Sequence, residues 1–289
     1  MSESLKLLIE SPDLLGPPLL TGAVAGLVLG WIGVYVVLRR MVFVSAAIAQ
    51  SAAAGVGLAL LLHRLYGWPV PPLLGAGLAT ALASLLFTSD PTRLRITRES
   101  LLGLAYVGSG ASALLIGDRL GEEAQEISGL LFGNAVLVRD LDMALIVGAG
   151  ALSLGLHLWL RRGLIFLAAD PEGAKAQGLP TRLLEFTLFA TLGLMVALST
   201  RALGALPVFA FCVLPAMAAL PLAPSAGAAL ALAALFGALA GGGGYLAAFS
   251  WDLTVGAAQT LTAVAVVVAA LVGRAGWRWV GRRGSRAGA

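Results

Sequence analysis

Arg161-Arg162-Gly163-Leu164-Ile165-Phe166-Leu167-Ala168-Ala169-Asp170-Pro171-Glu172-Gly173-Ala174-Lys175-Ala176-Gln177-Gly178-Leu179-Pro180-Thr181-Arg182 is a mixed-charge interruption between two long apolar runs, Met143–Leu160 and Leu183–Thr200. Asp170-Pro171-Glu172 has the order of a helix start: an Asp cap, Pro at the first helical position, then an acid near the positive end of the helix dipole. Gly178 followed by Leu179-Pro180 is a helix stop. The spacing predicts a helix of about two turns over 170–178 that lies between two spans and crosses nothing.

The rest of the chain explains why such a segment stands out. Of 289 residues, 59% are hydrophobic and 12% charged, with a mean hydropathy of +0.93. Soluble domains carry about twice that share of charge. The Ala, Leu, Gly and Val bias suits closely packed transmembrane helices. The fold class expected is therefore all-α: a polytopic membrane protein forming one domain over 1–289. A single cysteine, Cys212 in an apolar run, rules out an intrachain disulfide. Met1 to Pro18 holds Glu3, Glu10 and Asp13 against Lys6, which is not the pattern of a cleaved signal peptide.

Apolar runs occur at Leu19–Leu38, Phe43–Leu62, Val70–Thr88, Leu101–Gly117, Met143–Leu160, Leu183–Thr200, Leu203–Leu222, Gly227–Phe249 and Leu253–Val272. One side can collect Arg39-Arg40, Arg93-Arg95-Arg98, the opening stretch, and the tail with Arg274, Arg278, Arg282, Arg283 and Arg286. That leaves only Lys6, Arg64, Arg119, Arg139 and Arg201 of the 19 basic residues on the other, with most of the acids. The positive-inside rule makes the first side cytoplasmic, with the N-terminus outside and the C-terminus inside. The basic balance thus reports topology and not a nucleic-acid partner. Eight or nine transmembrane helices satisfy the pattern. Leu203–Leu222 is the doubtful crossing, because Pro207, Pro215 and Pro221 point to a broken or re-entrant element. Gly241-Gly242-Gly243-Gly244 points to a kink or a very close helix contact.

Few residues offer chemistry. His63 and His157 lie near span ends with no Cys, Asp or Glu at ligand spacing, and read as interfacial anchors. The spans contain essentially no ionisable residue, which disfavours a proton-coupled carboxylate relay. The most polar stretch inside a span is Ser45, Ala46, Gln50 and Ser51, where Gln50 either bonds a neighbouring helix or lines a path. Gly108-Ser109-Gly110 with His157 is too weak for an intramembrane protease, and no P-loop is present. The tail with Trp277 and Trp279 reads as an interfacial anchor in the bilayer.

Several runs in one order resemble the ABC-3 family, the membrane permeases of ABC importers for zinc and manganese. Arg39-Arg40-Met41 is similar to that family's loop before the second span, and Arg98-Glu99-Ser100-Leu101-Leu102-Gly103 to its entry into the fourth. Leu131-Phe132-Gly133-Asn134 with Asp140-Leu141 resembles its outer loop. Asp170, Glu172, Ala174 and Gly178 match its Asp-x-Glu-x-Ala-x-x-x-Gly segment. Gly204 to Ala218, and Ser250, Asp252, Gly256 and Ala257, resemble its later elements.

The resemblance implies a homodimer in the bacterial plasma membrane around a central path, with a cytoplasmic ABC ATPase dimer below and an extracytoplasmic substrate-binding protein above. ATP and Mg would belong to the ATPase, leaving no cofactor and no enzymatic activity in this chain. The family's short cytoplasmic helix, here 170–178, docks on the ATPase. The family usually carries an Asp and, four residues later, a His in the second span. The corresponding positions here are Ala46 and Gln50, so no metal ligand is assigned; Val255 also replaces the usual Pro before Gly256-Ala257. The expected function is an importer permease for a divalent metal or a metal-related substrate. The alternatives are a non-metal cargo, a secondary transporter, or a non-transporting membrane scaffold.

Overall fold

A computed structural model describes residues 12–88, 97–120 and 138–287. Among the described residues all regular structure is helical. In chain order the elements are α1 (Pro12–Leu38), α2 (Phe43–Tyr66), α3 (Pro72–Thr88), α4 (Arg98–Leu120), α5 (Asp140–Trp159), α6 (Arg161–Ala169), α7 (Pro171–Ala176), α8 (Thr181–Leu203), α9 (Ala205–Ala219), α10 (Ala226–Ala238), a π turn (Leu239–Gly243), α11 (Gly244–Trp251) and α12 (Val255–Ala287). Among the described residues seven stretches are long and apolar enough to cross a membrane, and Pro72–Thr88 and Ala205–Ala219 are shorter apolar helices. The motif residues Arg93, Arg95 and Leu131-Phe132-Gly133-Asn134 lie outside the described residues, as do the side chains of the Arg278–Arg286 tail.

α1 is the central post. It packs on α5, α6, α8, α9, α10 and the π turn, and Leu29, Ile32 and Tyr35 are fully buried. One face of it is glycine: Gly22, Gly26, Gly30 and Gly33 recur at helical spacing. A methyl group on Gly26 would land on the Gly237 carbonyl, and one on Gly237 on the Gly26 carbonyl. Gly22 meets Gly241, Gly30 meets Ala233, and Gly33 meets the Cys212 carbonyl in the same way. Lipid gives no hydrophobic drive between helices, so close backbone approach supplies the contact area that holds α1 in place.

The four-glycine run makes the close helix contact that was one of its two expected readings. Its first three residues fall in the π turn, and Gly22, Gly241 and Gly244 leave a notch filled by Gln259 of α12. The Gln259 amide, wholly buried, donates through Nε2 to the Gly241 carbonyl at 3.0 Å. A π turn frees backbone groups from the regular ladder, and a side-chain amide re-satisfies one where no water reaches.

The expectation of a broken helix at Leu203–Leu222 is corrected. α9 is one continuous helix with Pro215 inside it. Pro207 sits in the first turn, where its missing N–H has no helical partner to lose. At 15 residues α9 is about 22 Å long, so it is short and not broken. Gly204, at φ 96°, turns the chain into it from α8.

Candidate functional site

The polar residues of α2 do not form one cluster. Ser45 is fully buried, donates to the Val42 carbonyl at 3.2 Å and lies against Cys212 of α9. Gln50 and Ser51 turn instead towards α4. Ser51 Oγ donates to the Ala47 carbonyl at 2.8 Å and lies 3.1 Å from Ser109 Oγ. Its single proton is thereby used, so Ser109 is the donor between them. Gln50 sits over Gly110, where a methyl would come within 3.3 Å of Gln50 Oε1. That oxygen is buried without a hydrogen-bond partner. Ala46, one turn earlier, adds only a methyl. Gly108-Ser109-Gly110 is thus a packing and hydrogen-bonding surface for α2. Ser109 pairs with Ser51 while His157 is bonded elsewhere, so the two make no nucleophile–base pair.

What this arrangement can do chemically is limited to neutral dipoles. An amide oxygen and hydroxyls can solvate a passing ion or polar solute. Among the described residues no group of three His, Cys, Asp or Glu side chains could hold a metal.

The segment after α5 is more built than its sequence announces. α6, which no sequence signal marked as a separate helix, buries Leu164, Leu167 and Ala168 and exposes Arg161 and Arg162. It is a surface helix lying between spans. α7 follows with both ends closed. Asp170 Oδ1 accepts from the Gly173 N–H at 2.9 Å, and Pro171 fills the first position. At the other end Leu179 N–H reaches the Ala174 carbonyl and Gly178 N–H the Lys175 carbonyl, both at 3.1 Å, with Gly178 at φ 74°. That is a Schellman stop with glycine in the left-handed position. Ala174 is wholly buried while Glu172, Lys175 and Gln177 face outward. One side of this short helix is therefore fixed to the bundle and the other is presented. The predicted cap and stop both stand, over six residues.

Two sequence readings need correction. His157 is not an interfacial anchor: it is fully buried between α1, α5 and α8. Its Nε2 lies 2.8 Å from Thr191 Oγ1, and Thr191 spends its own proton on the Thr187 carbonyl at 2.8 Å. His157 must then donate, which fixes the proton on Nε2. The ring of Tyr35 meets it edge-on at 5.3 Å. The spans are also not free of buried charge. Arg39 at the end of α1 pairs with Glu185 in the second turn of α8, and its guanidinium stands 5.9 Å from the Phe189 ring centroid. At the opposite end of α8, Arg201 faces Asp142 of α5 at 3.7 Å. An acid inside an apolar run was the available signal for Glu185. Nothing local marked its partner, 146 residues away.

α8 leaves α7 after a four-residue link, Gln177 to Pro180. It is laced to α1 through Arg39 and Glu185, to α3 through Ser84 Oγ on the Phe189 carbonyl at 3.2 Å, and to α5 through His157 and Thr191. These polar contacts connect α8 to three other helices.

A bundle of apolar helices around a glycine-faced post, with a capped helix presented between two spans, defines a polytopic membrane protein. The chain belongs to the ABC 3 transport family, which matches residues 12–274. It is 27% identical over 245 residues to the manganese import system permease protein ScaB of Streptococcus parasanguinis, covering 84% of this chain and 85% of that protein. It is 24% identical over 265 residues to the high-affinity zinc uptake system membrane protein ZnuB of Haemophilus influenzae, covering 91% and 98%. The solved structure of PsaBC from Streptococcus pneumoniae in complex with Fab superposes with a TM-score of 0.80 at 25% identity, over 93% of this chain and 94% of that one. The chain is thus a multi-pass protein of the bacterial plasma membrane, with transport permeases as its relatives.

Proposed function

We propose that the chain is the membrane-spanning subunit of an ATP-driven importer, moving a divalent cation of the manganese or zinc class into the cytoplasm. The observation that carries this reading is α7: a six-residue helix capped at both ends, anchored on one side by Ala174 and open on the other. A helix this short is unstable alone, and its closure at both ends makes it a stiff contact for a partner outside the membrane. That partner, in this reading, is a cytoplasmic ATPase engaging Asp170, Glu172 and the outward face up to Gly178. ATP and Mg are bound there and not in this chain. An extracytoplasmic binding protein delivers the cargo, and two copies of the permease surround the path.

If α3 and α9 also cross, the loop after α1, the α6–α7 segment and the C-terminal tail share one basic face, which the positive-inside rule makes cytoplasmic. Along the path Gln50, Ser51 and Ser109 offer oxygen ligands without charge. A cation held this way passes with part of its water shell, since hard cations take neutral oxygens and water as well as carboxylates. The experiment is co-expression with candidate ATPase subunits, followed by affinity purification through this chain. Stable capture of an ATPase that is lost on Asp170→Ala with Glu172→Ala supports the reading. Capture unchanged by that pair would remove α7 from the interface.

A further inference from the structure

Between α3, α5 and α8 the outer surface opens into a cleft of about 820 Å3. Small residues make the room: Gly77 and Ala81 on α3, Gly148 on α5, and Ala190, Gly193 and Ala197 on α8. At Gly77 and Gly148 the space is empty, because a methyl on either would meet nothing within 4 Å. Thr80 and Ser84 carry the lining's polar side chains, and both hydroxyls are used. Thr80 Oγ1 donates to the Gly77 carbonyl at 3.0 Å and Ser84 Oγ to the Phe189 carbonyl at 3.2 Å. A polar solute would find no free side-chain donor among these hydroxyls, whereas a hydrocarbon chain needs none. Along α8 the cleft runs from Phe186 to Leu198, about 18 Å at the helical rise. Half of a hydrocarbon core of about 30 Å is about 15 Å, the depth of one leaflet.

One end of the cleft is cationic. Arg182 stands one turn from Phe186 on the same side of α8, and Trp159 falls on the cleft side of α5, seven residues beyond Leu152. A neighbouring hollow of about 430 Å3 is lined by Trp159, Arg161, Arg162 and Pro180, with no Asp or Glu in its lining. Among the described residues neither Arg161 nor Arg162 has an ion-pair partner. Trp159 is 81% exposed, as suits an indole at the level of lipid headgroups. Hydrocarbon-shaped space, an interfacial Trp and unpaired guanidiniums follow one another in the order of a phospholipid's own parts.

We propose that the cleft holds an acyl chain of an anionic phospholipid, whose phosphate is bound by Arg161, Arg162 and Arg182. The assignment to the cytoplasmic leaflet rests on the orientation proposed above, but the binding itself does not. The charge argues for lipid over a second copy of this chain, because two copies meeting at this face would bring the same arginines together.

The test is native mass spectrometry on the full chain, extracted in mild detergent with whatever subunits accompany it. It is titrated with phosphatidylglycerol and with phosphatidylethanolamine of the same acyl chains. Phosphatidylglycerol is expected to be retained on the order of a hundredfold more strongly, the scale that three arginines give near an anionic headgroup. Arg161→Gln and Arg162→Gln together with Arg182→Gln should erase that preference. Gly148→Leu, or independently Gly77→Leu, should reduce retention of both lipids, since both positions line the cleft and a Cβ at either meets nothing within 4 Å. Equal retention of the two lipids overturns the proposal, as does retention untouched by both glycine variants. A disulfide between two copies carrying Leu152→Cys would assign the cleft to a permease–permease contact and overturn it too. Failure to capture an ATPase would bear on the transport reading alone.

Discussion

Replacing Gly26 by Ala isolates what the glycine face of α1 contributes. In an exposed helix interior that change would gain up to about 1 kcal/mol from helix propensity. Here the new methyl would fall on the Gly237 carbonyl, and backbone cannot swing aside as a flexible side chain can. Relief requires α1 and α10 to part, which also loosens Gly22 against Gly241 and Gly30 against Ala233. Overpacking typically costs about 1–3 kcal/mol, and a backbone obstacle belongs in the upper part of that range. The net expectation is a loss of about 2 kcal/mol. Gly148→Ala is the matched control: same chemistry, with nothing within 4 Å of the new methyl. It should be neutral or stabilising by up to about 1 kcal/mol. The assay is unfolding of both variants in the same detergent, followed by loss of the monodisperse elution peak on heating. Equal effects from the two variants would refute the close-approach account. A large loss from Gly148→Ala would refute the open cleft.

Three further outcomes are expected. Glu185→Gln should cost about 3–5 kcal/mol by taking the carboxylate from the buried Arg39 guanidinium, and the exchange Arg39→Glu with Glu185→Arg should recover part of that loss in thermal unfolding. Asp170→Ala should remove a cap worth about 1 kcal/mol and weaken coupling between ATP hydrolysis and uptake, while Asp170→Asn, which also caps, should retain it in the same uptake assay. Ala46→Asp with Gln50→His places a carboxylate and an imidazole one turn apart on α2, and should tighten retention of Mn2+ or Zn2+ by equilibrium dialysis at least tenfold; no change would place the cargo contact on another helix.

The sequence exposed what depends on local chemistry. Asp170, Pro171 and Gly178 act through their immediate neighbours, so the cap and stop of α7 were legible, as were the apolar runs and the close contact at Gly241–Gly244. Pairings between distant segments were not. Gln259 reads as one polar residue in an apolar run until α1 and the π turn shape a notch for it. Glu185 and His157 lie near span ends, where solvation is the ordinary expectation, and only packing of α8 on α1 and α5 buries them. Pro207 and Pro215 misled for a related reason: a proline's cost depends on its register in the helix and on what surrounds it. For the candidate path, the sequence showed which residues were polar, and the structure showed that Ser45 faces α9 while Gln50 and Ser51 face α4.

The central claim is ATP-driven cation transport through this chain. It is tested by uptake of radiolabelled Mn2+ and Zn2+ into proteoliposomes holding the chain with its captured ATPase and a binding protein. Accumulation that requires ATP and is lost on Asp170→Ala with Glu172→Ala is the result predicted. ATP-independent uptake, or ATP hydrolysis with no accumulation of either cation, would contradict it.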